Sequence, residues 1–393
     1  PNQRLWQEKI TEGEKYPLAE QGSHIASFAG VRRHLNAARS VGIPDGLLHR
    51  RRRAYVYGSR GKNDLRGAQM QVSAPGSCGW QPVGEEPMYL GIEIGGSKLQ
   101  LGIGTGAGDL RHLVRLPADA GGGAAAIRRQ TQEGMHLLLR QSGVSAKELQ
   151  GGAIGFGGPV DDSSGSVLTS HQVAGWAGFP LADWATQALG IPMLLANDAD
   201  VAGLAEATAG AGKGLSPLFY ITVGSGIGGA LILDGHIYRG TGRGAAEIGH
   251  LWTEYRLDPW DPGSWCDLEA IASGWGLEKA AALALGVSTR LPDVVQRVAD
   301  PRVQAVLQRG IRALALGISH VIALVCPRRI VIGGGVSLLG EELFFAPLRQ
   351  AVQQIAFPHF AGCWEIVPAV LGEAVVVHGA LEYARQRLSG QPS

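Results

Sequence analysis

The chain contains two stretches that follow one plan, Tyr89-Leu-Gly-Ile-Glu-Ile-Gly-Gly-Ser-Lys-Leu-Gln-Leu-Gly102 and Phe219-Tyr-Ile-Thr-Val-Gly-Ser-Gly-Ile-Gly-Gly-Ala-Leu-Ile232. Each reads as an apolar strand, a glycine-rich turn and a second strand. Glycine-turned hairpins are common, so the similarity alone does not require a duplication. We interpret the pair as an internal repeat, which predicts two domains that each open with such a hairpin and face each other across a cleft.

From Met88 onward, predicted strands and helices alternate as they do in α/β proteins. The predicted strands are 89–94, 98–104, 152–156, 192–196, 218–223, 229–233, 329–332 and 364–368. The predicted helices are 124–141, 199–210, 277–285, 302–325, 341–355 and 373–388. In the helix that stops before Pro327, apolar residues recur at three- and four-residue steps, which indicates one buried face.

The composition favours a globular protein without a nucleic-acid or membrane partner. The 393 residues carry 35 Lys and Arg against 34 Asp and Glu, so no strong field would recruit nucleic acid or anionic lipid. Glycine is abundant, at 59 residues, which indicates tight turns or close approaches of the backbone to a ligand. The cysteines form no Cys-x-x-Cys pair, and neither a membrane span nor a secretory signal is recognisable. We therefore expect a cytoplasmic protein.

Residues 1–87 differ from the rest, because their apolar runs are short and show no sustained helical or strand period. Met88 stands directly before the first convincing strand. We interpret the segment as a disordered or spurious leader, with an accessory segment and a DNA-binding module as alternatives. The basic block Arg50–Arg53 lacks the paired apolar helices of a helix-turn-helix, which disfavours the DNA-binding module.

Two glycine-rich turns are candidate phosphate sites. The turn Gly224-Ser-Gly-Ile-Gly-Gly229 fits the G-x-G-x-x-G pattern of dinucleotide-binding domains, but a strand rather than a helix follows it. We interpret it as a nest of backbone N–H groups for phosphate oxygens, aided by the Ser225 hydroxyl. The residues predicted to bind the nucleotide in the two turns are Glu93, Gly95, Gly96, Ser97, Lys98, Gly224, Ser225, Gly226 and Gly228.

Within the first turn, Glu93 suits Mg²⁺ and Lys98 suits phosphate. A third glycine turn, Gly333-Gly334-Gly335, follows a predicted strand and would let adenine lie against the main chain. The structural alternative is that these glycines merely shape turns between strands and helices.

A candidate base stands where a predicted strand ends and a helix begins, at Asn197-Asp198. An Asp at such a point is often a helix N-cap. The functional alternative is that Asp198 projects into the cleft and takes a proton from a substrate hydroxyl. Asn197 would then hydrogen-bond a neighbouring hydroxyl.

Candidate sugar contacts are Glu247 and His250, in an E-x-x-H spacing, followed by Glu269. Carboxylates and imidazole can bridge neighbouring hydroxyls of a polyol. A lone His is commonly structural, but its position after the glycine-rich loop 240–244 favours a binding role. The turn Gly157-Gly158 ends another predicted strand and exposes backbone that suits the side of a sugar ring.

Residues 88–388 resemble the ROK family, which is named for repressors, open reading frames and sugar kinases and shares the actin-like ATPase fold with hexokinases. Four motifs carry the resemblance in order: Gly91-Ile-Glu-Ile-Gly-Gly-Ser-Lys98, Asn197-Asp198, Gly224–Gly229 and Gly244-Ala-Ala-Glu-Ile-Gly-His250. In the segment Leu268-Glu-Ala-Ile-Ala-Ser-Gly274, Glu269 resembles the family's last sugar contact. The segment Gly175-Trp-Ala-Gly-Phe-Pro-Leu181 resembles the family's loop after the sheet of the first domain. Glu93 stands where many members have Asp.

The resemblance implies an α/β fold of two actin-like (ribonuclease H-like) domains that flank a nucleotide and sugar cleft. Residues 88–200 would form the first domain, and residues 201–393 the second, with the last helix packing back on the first. It also implies phosphorylation of a hexose, glucose foremost, at the 6-hydroxyl by ATP and Mg²⁺, with Asp198 as general base, in a homodimer. The alternatives are a sugar-responsive transcriptional regulator and a non-catalytic sugar-binding paralogue.

The sequence departs from the family pattern in two places. Family members usually hold a structural zinc through the motif's His and three Cys, but here Trp260, Pro262 and Asp267 occupy the Cys positions and Cys266 is one position off. Trp and Pro supply no zinc ligand, so we predict that no structural zinc is bound. Repressor members carry an N-terminal winged helix-turn-helix, which residues 1–87 do not resemble.

Overall fold

The fold is described from a computed structural model, for residues 86–170, 172–242, 244–255 and 265–389. All of the predicted leader except Glu86 and Pro87 lies outside these residues, as does the loop 256–264 that contains Trp260 and Pro262.

Strands make up two large sheets and two small hairpins in the described residues. They are β1 (Met88–Ile94), β2 (Lys98–Gly104), β3 (His112–Pro117), β4 (Leu149–Phe156), β5 (Val160–Asp161), β6 (Ser166–Val167), β7 (Met193–Asn197), β8 (Leu218–Val223), β9 (Ile227–Leu233), β10 (His236–Ile237), β11 (Trp252–Tyr255), β12 (Trp265–Asp267), β13 (Arg329–Gly333) and β14 (Ile366–Pro368).

The two large sheets share one topology. The first has the order β3-β2-β1-β4-β7, in which β1 is antiparallel to β2 and parallel to β4. The second has the order β10-β9-β8-β13-β14, in which β8 is antiparallel to β9 and parallel to β13. Each therefore begins with the predicted glycine-turned hairpin, which supports an internal repeat. Strands β1 and β2 are buried over nearly their whole length, which explains their continuous apolar sequence.

Helices cover the sheets and connect them. They are α1 (Gly123–Ser142), α2 (Leu181–Leu189), α3 (Asp198–Thr208), α4 (Leu268–Ala272), α5 (Gly274–Leu285), α6 (Leu291–Gln296), α7 (Pro301–Val325), α8 (Ala346–Ile355) and α9 (Val375–Leu388). Helix α7 matches its predicted bounds because Asp300 caps its first turn, Pro301 suits the first helical position and Pro327 follows its end.

The predicted helix 341–355 is wrong in its first turn. Residues Glu341–Phe345 form a wider π-helical turn, and the α-helix begins only at Ala346. Pro347 has no N–H to donate to a carbonyl one turn earlier, so a regular α-helix could not run through this point.

Helices α3 and α9 pack against each other between the sheets. Helix α3 contacts β8 and β9, and α9 contacts β1 and β4. Gly379 of α9 leaves no room for a side chain, because a Cβ there would overlap the carbonyl group of Val201 in α3. The crossing of these two helices therefore joins the two sheets at close range.

The part of the chain that the structure describes contains no helix with the length and apolar character to cross a bilayer.

Deletion of residues 1–87 is expected to leave the fold and activity nearly unchanged. The segment lacks periodic apolar positions and should bury little surface. Its described end contributes an exposed ion pair, Glu86 with Arg111 at 2.8 Å, of a kind worth about 0–1 kcal/mol. Thermal denaturation and enzyme assays of the truncated chain check this; a loss of several degrees in Tm or of most activity would contradict it.

Candidate active site

Asp198 begins helix α3 at the end of strand β7. The N-cap is its neighbour: Asn197 Oδ1 accepts hydrogen bonds from the N–H groups of Ala199 (2.9 Å) and Asp200 (3.2 Å). The N-cap interpretation of Asp198 is therefore wrong. The Asn197 amide also donates to the carbonyl of Gly158 at 3.1 Å, so much of the hydrogen-bonding capacity predicted for a substrate hydroxyl is already used within the protein.

The Asp198 carboxyl group is poised to exchange a proton near neutral pH. Burial and, to a lesser extent, the negative charge of Glu93 raise the pKa of Asp198 to about 7, against the Ala199 N–H and Lys98, which lower it. A base works best when its pKa lies near the working pH. The burial and the nearby carboxylate thus give Asp198 the acid–base property that the general-base interpretation needs.

The first glycine turn holds Glu93 and Lys98 together. Lys98 Nζ lies 2.8 Å from Glu93 Oε1, and the Glu93 side chain is buried at the floor of the turn. Gln100, directly across from Glu93 in the β1–β2 pairing, donates to Glu93 Oε2 at 2.7 Å. Gln100 also donates to the carbonyl of Glu373 (2.9 Å) and accepts from Arg115 (3.0 Å), so its amide is fixed on three sides.

The turn at Gly157-Gly158 brings two other candidate segments to Asp198. A Cβ on Gly157 would stand 3.4 Å from Asp198 Oδ2 and 3.5 Å from the Cα of Gly95. The N–H of Gly157 donates to the carbonyl of Ile94 at 2.9 Å. The structure therefore assembles the first glycine turn, the 157–158 turn and the candidate base at one place.

The second glycine turn is held from below by Glu269. Glu269 Oε2 accepts a hydrogen bond from the Ile227 N–H at 2.7 Å. A Cβ on Gly226 would stand only 2.5 Å from the same oxygen, so a side chain does not fit there. The carbonyl of Gly224 accepts from the N–H of Gly274 at 2.7 Å. Ser225, at the tip, is exposed. A Cβ on Gly228 would stand 2.9 Å from that of Ala199, so this turn lies against the start of α3.

Glu247 and His250 lie on a short 3₁₀ segment beside strand β9. The segment approaches the strand closely: there is no room for a Cβ on Gly249 because of the Ile227 carbonyl. Both side chains are exposed to solvent. Although Glu247 reaches solvent, nearby protein atoms partly desolvate its carboxyl group and, together with the charge of Glu269, raise its pKa, while His250 lowers it. The three predicted sugar contacts therefore interact electrostatically.

The third glycine turn lies beside the second. A Cβ on Gly333 would stand 2.8 Å from Tyr220 Oη. Gly334 has a φ of 87°, and a Cβ there would stand 2.5 Å from the carbonyl carbon of Val223. Gly335 faces open space. Two of the three glycines are therefore required by packing, and Gly335 is the one that leaves room for a ligand.

Comparison with known proteins identifies the family of this chain. The ROK family model matches residues 89–387. The chain belongs to the ROK family. Both the resemblance seen in the sequence and the predicted α/β fold of two actin-like (ribonuclease H-like) domains are thereby confirmed.

Individual relatives match over most of their length. The glucokinase of Halalkalibacterium halodurans is 29% identical over 309 residues, which cover 74% of this chain and 93% of the relative. The N-acetylmannosamine kinase of Escherichia coli strain HS is 30% identical over 297 residues, which cover 74% of this chain and 98% of the relative. The structure of the ROK glucokinase of Streptomyces griseus with glucose and AMPPNP matches with a TM-score of 0.60 at 26% identity. The match covers 76% of this chain and 99% of that one.

The structure describes only part of the segment that corresponds to the zinc site of the ROK pattern. Asp267, at one of the Cys positions, is the N-cap of α4 and accepts from the Ala270 N–H at 2.7 Å. Cys266 is buried, while Trp260 and Pro262 lie outside the described residues. The described residues contain no cluster of three His, Cys, Asp or Glu that could hold a metal ion. The absence of a structural zinc stays a prediction.

Elemental analysis of the purified protein tests that prediction. We expect substoichiometric zinc together with full activity, because His250, Asp267 and a displaced Cys266 supply at most a weak, open site. About one zinc per chain that survives dialysis against a chelator would contradict it.

Sequence reasoning missed Gln100 and Arg239. Gln100 belongs to an apolar strand, and its partner Glu373 lies 273 residues away, so no local pattern marked it. Arg239 follows β10 and pairs with Asp162 and Asp200, which are 77 and 39 residues away. A single buried polar residue in an otherwise apolar strand was the only signal available for Gln100.

Proposed function

We propose that this protein is an ATP-dependent sugar kinase that phosphorylates a hexose, with glucose as the first candidate, at its 6-hydroxyl. The observation that carries the proposal is the position of Asp198, whose carboxyl group has a pKa of about 7 beside a glycine turn with Lys98. The glucokinase and N-acetylmannosamine kinase relatives, and the glucose and AMPPNP bound to the Streptomyces enzyme, support it.

In the proposed reaction, Asp198 takes the proton from the 6-hydroxyl as the oxygen attacks the γ-phosphorus of ATP. The bond between that phosphorus and the β,γ-bridging oxygen breaks, and ADP leaves. A positioned base contributes typically 10²–10⁴-fold to such a step. Closure of the cleft would exclude water and so limit hydrolysis of ATP.

The glycine turns supply the groups that fit a triphosphate. In the first turn, the Gly95 N–H already donates to the Lys98 carbonyl at 3.0 Å, which leaves the N–H groups of Gly96 and Ser97 for phosphate oxygens. Lys98 is half-exposed and positively charged. In the second, exposed Ser225 adds a hydroxyl between Gly224 and Gly226. The open space at Gly335 suits the adenosine.

Magnesium would enter as part of the ATP substrate and would offset charge on the phosphates. Glu93 is the carboxylate of the first turn, but its two oxygens already face Lys98 and Gln100. Since Mg²⁺ tends to keep several water ligands, Glu93 fits a contact through such a water better than direct ligation.

The sugar would lie between Asp198 and the Glu247, His250 and Glu269 cluster. Exposed Glu247 and His250 have free faces for hydroxyl groups, and Glu269 has its Oε1 left after Oε2 binds the second turn. The turn Gly157-Gly158 and Asn197 would line the side nearest the base.

We further propose a homodimer that acts in the cytoplasm without nucleic-acid or membrane partners.

A coupled ADP-release assay over about a dozen sugars tests the proposal. We expect turnover with glucose or a close relative such as mannose or an N-acylated hexosamine. Sugar binding without turnover would favour the non-catalytic paralogue, and neither binding nor turnover with any sugar would contradict the proposal.

The pH profile of kcat/KM is expected to fall on the acid side with a midpoint near pH 7. The base must be ionised to accept a proton, and the pKa of Asp198 in the free protein is about 7. Below that pH the rate should drop about tenfold per unit as Asp198 becomes protonated. A profile that stays flat down to pH 5 would contradict the assignment.

A further inference from the structure

The loop that leads from β10 to Glu247 is rich in glycine. Among its described residues, the Gly242 N–H donates to the Arg239 carbonyl at 2.8 Å, and Ala246 packs against strand β9 at the far end. Gly240, Gly242, Gly244 and Ala246 all have positive φ, from 54° to 110°. At Gly242 and Gly244, no described heavy atom beyond the adjacent residues lies within 4 Å of the Cβ position. Glycine-rich backbone has high conformational entropy, so such a loop must be tied down if it is to present Glu247 in one place.

Arg239, at the start of this loop, makes that tie. Its Nη2 lies 2.8 Å from Asp162 Oδ1, and its Nη1 forms a second ion pair with Asp200 Oδ2. The three side chains are largely buried, and that of Arg239 is 14% exposed. A planar guanidinium can bridge two carboxylates in this way, whereas an ammonium group is a single point charge.

The two partners of Arg239 come from different parts of the fold. Asp162 lies in the turn between β5 and β6, and Asp200 lies in the first turn of α3, two residues after Asp198. The guanidinium therefore connects the glycine-rich loop to the helix that carries the candidate base. Burial raises the pKa of Glu247, and Arg239 opposes that shift, so the charge of Arg239 acts on the carboxylate at the far end of the same loop.

We propose that Arg239 is a positioning residue of the sugar site, which fixes the glycine-rich loop to α3 and so sets Glu247 relative to Asp198. This inference rests on the proposed function, because it assumes that Glu247 binds the substrate that Asp198 deprotonates. A sugar bound to an untied loop would have to order that loop first, which weakens sugar binding. ATP binding should be unaffected, because both phosphate turns are held by other contacts.

Arg239→Lys is the variant of choice, because it keeps the positive charge between Asp162 and Asp200 but cannot span both carboxylates. We expect the KM for sugar to rise about tenfold or more, with the KM for ATP within about twofold of wild type. Arg385→Lys is the matched control. Arg385 makes two hydrogen bonds to buried Glu382, at 2.7 and 2.8 Å, and pairs with neither Asp198 nor any described residue of the loop. Both KM values should therefore stay unchanged.

Hydrogen exchange provides a second measurement that does not depend on activity. In Arg239→Lys we expect backbone amides of residues 240–247 to exchange faster, with those of the turn 224–229 unchanged. A normal sugar KM in an active, folded variant, unchanged exchange in the loop, or an equal rise in both KM values would overturn the role of Arg239. A wild type that phosphorylates no sugar would overturn the proposed function, and with it the sugar part of this inference, whatever the exchange result.

Discussion

Asp198→Asn is expected to lower kcat by about 10²–10⁴-fold, because the amide cannot accept the proton of the sugar hydroxyl. The binding of ATP and sugar should remain largely intact, since Asn has nearly the shape of Asp. Steady-state kinetics together with equilibrium binding of each substrate measure both effects. Turnover at the wild-type rate by the folded variant would show that Asp198 is not the base.

The same substitution is expected to raise Tm at pH 8. The pKa of Asp198 is raised to about 7 in the folded protein from 3.8, so ionisation of this group destabilises the fold progressively as the pH rises between those values. Asn cannot ionise and escapes that penalty. Asp183→Asn is the matched control: Asp183 is an exposed acid in the first turn of α2, and its loss should change neither kcat nor Tm appreciably.

Gly379→Ala is expected to destabilise the protein by about 2 kcal/mol or more, because a methyl group there meets the backbone carbonyl of Val201 rather than a flexible side chain. At roughly 2–4 °C per kcal/mol, Tm should fall by about 4 °C or more. Helices α3 and α9 would be pushed apart, so activity should fall as well. Thermal denaturation followed by circular dichroism measures the shift.

Gly310→Ala in α7 is the control for that variant. Both glycines are helical, but the nearest atom to a Cβ on Gly310 is the end of the Leu277 side chain, at 2.9 Å, which can move. Ala is favoured over Gly inside a helix by about 1 kcal/mol, so Gly310→Ala should be neutral or slightly stabilising. An equal loss of Tm in both variants would show that the close α3–α9 crossing has no special role.

The sequence predicted the elements whose burial pattern is simple. Strands β1, β2 and β8 are buried on both faces, so each appears as an apolar run next to a glycine turn. Strand β3 was missed because it lies at the sheet edge with only Val114 buried, which leaves no apolar run. Helix α2 was missed because its nine residues give too short a periodic pattern.

The candidate site was predictable as a set of segments but not as a set of contacts. The motifs identified Asp198 and Lys98, yet left open whether Asp198 caps α3 or acts as a base in the cleft, because Asp is a common N-cap. The role of Glu269 under the second glycine turn and the link from Gln100 to Glu373 depend on how distant parts of the chain meet. Tertiary pairing of this kind leaves no periodic signal in the sequence.

Product analysis tests the central claim most directly. The wild-type protein would be incubated with ATP, Mg²⁺ and the best sugar of the panel, and the product followed by ³¹P nuclear magnetic resonance with Asp198→Asn in parallel. We predict a sugar phosphate esterified at the 6-oxygen, formed in equal amount to ADP and far more slowly by the variant. Release of inorganic phosphate without a sugar phosphate, or equal product from both proteins, would contradict the account.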